Sequence, residues 1–133
     1  MLGQSNIVAV VPTHDLAKSR PFYEDTLGLK VLEEFAEGAV GFETSAGSRL
    51  LLYTTQVQVP AEHTIASFSV DDVEHAVSTL EMRGVVFEEY DLSEYGFDDI
   101  EVSKVLTLPD GAKAAFFKDP EGNVLSLAED RWP

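Results

Sequence analysis

The chain has no cysteine, so disulfides, thiolate metal sites and a cysteine nucleophile are all excluded, and the absence suits a reducing compartment. No apolar run approaches the ~20 residues that span a bilayer, and the opening MLGQSNIVAVVPTHD has no basic stretch leading to a cleavage site. The expectation is a cytoplasmic protein with no membrane partner. Basic residues are also scarce, 9 against 24 acidic, for a formal charge of -15. Such a field repels phosphate backbones and anionic lipid surfaces, so nucleic acid is not an expected partner. The acidity reads as a solvated surface, or as an attraction for a cationic ligand or a basic protein. Motifs for nucleophilic and phosphoryl chemistry are missing as well: there is no G-x-S-x-G, no glycine-rich phosphate loop and no H-E-x-x-H.

What is present is ordinary globular material, 44% hydrophobic and 10% aromatic, in 133 residues. That length suits one domain, or two small modules that stabilise each other, since a unit of ~60 residues buries little surface alone. The pattern favours two modules. Ile7 to Val11 is a β-branched run, and Asp15 is a helix N-cap opening DLAKSRPFYEDTLG, which closes on Gly28. Pro21 falls inside this helix and predicts local bending. Three β-type stretches follow, Leu29 to Phe35, Ala39 to Thr44 and Arg49 to Thr55.

The order then repeats. Residues 56–62 read as a linker, and His63 to Val70 is a strand. Val73, Ala76, Val77 and Leu80 mark the buried stripe of a helix that Gly84 ends. Val85 to Tyr90, Ala112 to Lys118 and Asn123 to Ala128 are further strands, the last two joined by the turn Asp119-Pro120-Glu121-Gly122. Both halves therefore read β-α-β-β-β, an internal repeat of about 56 residues, with module one at 1–55 and module two at 63–133 of a single domain spanning 1–133. The fold class is α+β, two βαβββ modules whose curved mixed sheets face a shared cleft. Residues 91–108 form a longer, acidic insertion, a candidate lid.

DLAKSRPFYEDTLGLKV, SFSVDDVEHAVSTLEMRGV and FFKDPEGNVLSL, in this order, resemble the vicinal oxygen chelate superfamily, which holds glyoxalases, bleomycin-resistance proteins and extradiol dioxygenases. The resemblance covers almost the whole chain, and its motifs have structural readings: Phe22, Tyr23 and Leu27 pack the helix on its sheet, and Asp-Pro-Glu-Gly makes a hairpin turn. It implies a homodimer. It also implies, for metal-dependent members, one divalent ion held by His and Glu from the first and last strand of each module. Counting from Asp15, Asp72, Gly47 and Gly122 places those positions at Val8, Ile65, Leu51 and Ser126, none a usual ligand. No metal and no cofactor is therefore expected. His63, two residues from Ile65, is the one histidine near that place; without a carboxylate neighbour it reads as a strand-start or ligand-contact residue. His14 and His75 read as surface residues.

The expected cleft is lined by Val8, Phe42, Leu51, Ile65 and Phe116, with Arg49, Tyr53, His63 and Ser126 as polar groups. This is the composition of a small-molecule pocket, and equally of plain core between two sheets. A buried Arg49 would need a carboxylate on the protein or on a ligand. Two functions stay open. One is a metal-independent protein, similar to the bleomycin-resistance branch, that binds an apolar or aromatic organic molecule. The other is an enzyme of the same superfamily, a lyase, isomerase or dioxygenase with a displaced metal site or with His63 or Tyr53 as acid or base.

Overall fold

The computed structural model describes residues 1–36, 38–56, 61–91, 102–107 and 111–129. The chain divides into two compact units, one of Met1–Ile65 with Asp119–Asn123, the other of Ala66–Lys118 with Val124–Pro133. Among the described residues no helix is long and apolar enough to cross a membrane. Residues 57–60 of the expected linker, and most of the expected lid, lie outside the described residues.

In the first unit β1 (Val8–Thr13) leads to helix α1 (Leu16–Pro21). The Asp15 side chain caps it by accepting from the Lys18 amide at 3.2 Å. Pro21, which has no N–H to give, is the last residue of α1, and the backbone widens there into a π-helical turn, Phe22–Thr26. Gly28 then takes φ 75°, open to glycine at little cost. Strands β2 (Lys30–Phe35), β3 (Ala39–Glu43) and β4 (Arg49–Thr54) complete a sheet of order β1-β4-β3-β2, with β1 parallel to β4 and the other pairs antiparallel. The alternation of strand side chains decides its two faces. Val11, Val40, Phe42, Leu50 and Leu52 point to one face and are buried with Tyr23 from the π-helical turn.

The second unit, which takes β5 (Thr64–Val70) from Ala66 onward, repeats the plan with helix α2 (Val73–Met82), β9 (Lys113–Lys118) and β10 (Val124–Glu129). Asp72 caps α2 as Asp15 caps α1, accepting from the His75 amide at 3.1 Å. The predicted stripe holds, with Val73 and Val77 buried and Ala76 and Leu80 partly so. One expectation fails: Val85 to Tyr90 is not a strand. Phe87 makes a single bridge to Phe117, the Glu88 amide donates to the Phe116 carbonyl at 2.8 Å, and Val86 is 82% exposed. Farther along the same edge of β9, the short β8 (Leu106–Thr107) pairs with Ala114 and Lys113. The fourth strand is thus split into two pieces, one just before the insertion and one at its far end. Within the insertion the backbones of β6 (Tyr90–Asp91) and β7 (Val102–Ser103) make a separate two-stranded ribbon. Phe117, Leu125 and Leu127 share the helix-side core with Phe87, whose ring centroid lies 5.3 Å from that of Phe117.

Candidate functional site

Residues that the sequence marked as fold signatures form a buried polar knot in the first unit. The Tyr23 hydroxyl donates to Asp119 Oδ2 at 2.5 Å. Asn123 Nδ2 donates to the same oxygen at 2.9 Å, and the amides of Glu121 and Asn123 each donate to Oδ1 at 2.9 Å. A buried carboxylate with four donors is compensated for its lost hydration. Asn123 Nδ2 also donates to the Pro12 carbonyl at 2.9 Å, which ties the turn to β1. Two acceptors on one side fix the amide's orientation, and Asn123 Oδ1 is left buried with no partner among the described residues. Nearby, His14 Nδ1 lies 2.5 Å from Glu121 Oε1, which also accepts from the His14 amide. His14 is exposed just past the end of β1, as expected, but its ring and amide both contact Glu121 of this turn.

Burial, reinforced by the Asp119 charge and the hydrogen bond to it, pushes the Tyr23 hydroxyl far above the ordinary tyrosine value of 10.0. A folded-state value above the unfolded one means full stability below pH ~10 and a loss as pH climbs past it, at about 1.4 kcal/mol per pH unit for one proton. Urea unfolding from pH 9 to 11.5 should show that decline in the natural protein and a shallower one in Tyr23→Phe. Parallel curves would show that Tyr23 does not carry the effect.

The knot holds the structure; of the side chains that the sequence reading put in a cleft, most stand on the sheet faces away from the helices. In the first unit that face carries Val8, Val10, Arg49, Leu51 and Tyr53, in register across β1 and β4. Val8 is 40% exposed, Leu51 and Tyr53 are half-buried, and Arg49 is exposed, so the argument from a buried guanidinium does not apply. Phe42 is not among them. It points to the opposite face, fully buried, with its centroid 6.1 Å from the Tyr23 ring. The strand's alternation decides this: Val40 and Phe42 share the helix side, while Ala39, Gly41 and Glu43 share the open side. Reading β3 in the correct phase brings out a residue the sequence analysis missed. Phe35 on β2 pairs with Ala39, and Ala39 with Tyr53, so Phe35 shares the open face. A glycine in a strand interior, Gly41, was the available signal.

In the second unit the open face carries Phe116 and Ser126, which are register partners. Ser126 is 5% exposed and donates its hydroxyl to Ser67 at 2.7 Å. Ile65, two residues before Ser67 on β5, has the same facing and is half-buried. His63 precedes the strand, is exposed, and its Nδ1 lies 3.1 Å from the Thr64 carbonyl.

The positions at which the family resemblance implied a metal do not carry metal-binding side chains. Val8, Leu51 and Ile65 offer no donor atom, and the Ser126 hydroxyl is engaged by Ser67. Among the described residues no three His, Asp or Glu side chains come together as an ion site. A divalent ion there would lose its hydration without replacement.

Solved structures share the fold. A lactoylglutathione lyase from Agrobacterium tumefaciens is 19% identical, with TM-score 0.69 over 95% of this chain and 93% of that one. The antibiotic-binding protein TnmS3 from Streptomyces sp. CB03234 is 23% identical, with TM-score 0.70 over 95% of both chains. A member of the glyoxalase/bleomycin resistance protein/dioxygenase superfamily from Sphaerobacter thermophilus is 22% identical, with TM-score 0.71 over 95% of this chain and 97% of that one. At these identities the likeness is one of fold. No curated protein matches significantly in sequence. The profile of one family, described as Glyoxalase/Bleomycin resistance protein/Dioxygenase superfamily, matches residues 6–127. A match of that extent, over two βαβββ halves, means that the chain belongs to the glyoxalase/bleomycin resistance protein/dioxygenase superfamily.

Proposed function

We propose that the chain binds a small apolar or aromatic organic molecule without a metal, in the cleft that the family resemblance implies. The observation that carries this reading is the chemistry at Val8, Leu51, Ile65 and Ser126, three aliphatic side chains and one engaged hydroxyl in place of ion ligands. The open faces supply apolar area with a few polar groups, the usual make-up of an organic-ligand site. Likeness to a protein named as antibiotic-binding agrees with this assignment.

A second reading is an enzyme with a displaced divalent site, favoured by likeness to a protein named as a lactoylglutathione lyase. One experiment separates the two. Chelator-stripped protein is incubated with manganese, iron(II), cobalt, nickel and zinc, desalted and weighed for metal per chain. Occupancy near zero, together with a thermal shift from a panel of organic compounds, is the expected result. About one ion per chain would sink the metal-free reading and favour the enzyme. We also propose a cytoplasmic homodimer; sedimentation of a single species at monomer mass would refute the dimer.

A further inference from the structure

Across β2, β3 and β4 on the open face of the first unit, side chains stand in rows set by the register. One row is Phe35, Ala39, Tyr53, and the next is Glu33, Gly41, Leu51. The middle strand thus contributes a methyl group and a bare Cα between taller neighbours, forming a trough along β3. Phe35 and Tyr53 stand on its two sides, two strand spacings or about 9.6 Å apart at the backbone. A flat ring over Ala39 would sit about 4.8 Å from the backbone of each flanking strand, within reach of both aromatic side chains. Phe35 leans over the glycine: a Cβ built on Gly41 would come 3.6 Å from Phe35 Cε2. Phe35 is nevertheless 40% exposed, and among the described residues neither it nor Tyr53 stacks on another aromatic ring.

The charges along the trough are unequal. Glu43 is drawn toward Lys30, at 4.0 Å. Glu33, exposed and one row from the two rings, makes no ion pair among the described residues. Arg49 lies two rows from Tyr53, about 13 Å along β4. Among the described residues Glu33 thus has no cation within ion-pair distance, and the chain's charge of -15 draws cations toward it.

We propose that Phe35 and Tyr53, over the Ala39–Gly41 floor, form the binding slot for a planar aromatic cation, with Glu33 supplying its counter-charge. This rests on the small-molecule-binding reading above and names its ligand class. Stacking holds the ring, and a cation on the ligand gains from Glu33 and from the ring faces.

The test uses three probes with the full chain: 2-naphthylmethylammonium, the uncharged 2-naphthylmethanol and the non-planar cyclohexylmethylammonium, titrated calorimetrically at 0.15 M salt. The naphthyl cation should bind at least fivefold more tightly than either of the others. Phe35→Leu and Tyr53→Leu should each weaken it about tenfold, and Glu33→Gln should remove its advantage over the alcohol alone. Both aromatic side chains are partly exposed, so the variants should keep the natural unfolding midpoint; Gly41→Val, which fills the floor, serves as an independent variant. Tight binding of the naphthyl cation unaffected by these substitutions would overturn the slot and leave the small-molecule reading standing. Equal binding of the cyclohexyl cation would overturn the planar class. Failure of all three probes would overturn the assigned ligand class, while a thermal shift from any other organic compound would show that the broader reading survives.

Discussion

Asp119→Ala is expected to destabilise the protein by about 4 kcal/mol, measured as a drop in the urea midpoint at neutral pH. The substitution removes one carboxylate and strands four donors, the Tyr23 hydroxyl, Asn123 Nδ2 and the amides of Glu121 and Asn123. Each buried donor left unmade costs about 1–3 kcal/mol, reduced here because a small side chain admits water to some of them. A chain of this length holds roughly 7–20 kcal/mol in total, so the loss is a large share. Asp119→Asn keeps one acceptor and should fall between the natural protein and the alanine variant. An alanine variant within 1 kcal/mol of the natural protein would mean that the knot is not a source of stability.

Phe117→Ala is expected to cost about 3–5 kcal/mol, through the second unit. Phe117 is fully buried, is the register partner of Leu125, and stacks at a tilt on Phe87. Its loss opens a cavity and also unseats Phe87, which bridges the first piece of the split strand to β9. Hydrogen exchange should therefore quicken at the Glu88 amide, which donates to the Phe116 carbonyl. Phe117→Leu keeps most of the volume and should cost less than half as much. Stability unchanged in the alanine variant would contradict this account of the core.

Local rules made the repeated plan readable before any coordinates. The N-cap Asp15, the glycines that end the helices, and the Asp-Pro-Glu-Gly turn depend on neighbouring atoms only, and each is found in place. The split strand was less accessible. Val85 to Tyr90 has β-type composition, but pairing along β9 is shared with Leu106–Thr107, and no local pattern announces a partner that far along the chain. Within the candidate site, phase was the difficulty. Val8, Leu51 and Tyr53 follow from counting along strands whose ends were well marked, while Phe42 was placed on the wrong side of β3 because the burial of a large aromatic fits either face. His63 sits just outside its strand, where alternation no longer governs a side chain. Arg49 has an exposure that composition could not foretell.

The first unit is discontinuous in sequence, since Asp119–Asn123 belongs to it. A gene fragment ending at residue 65 would encode Tyr23 without its acceptor and Pro12 without the amide that binds its carbonyl. The halves resemble each other in order, but a repeat of about 56 residues puts Thr79 or Leu80 at the place of Tyr23, so the second half brings no matching phenol. The two halves have thus ceased to be interchangeable parts: a doubled first half would repeat the demand for the turn without ever supplying it.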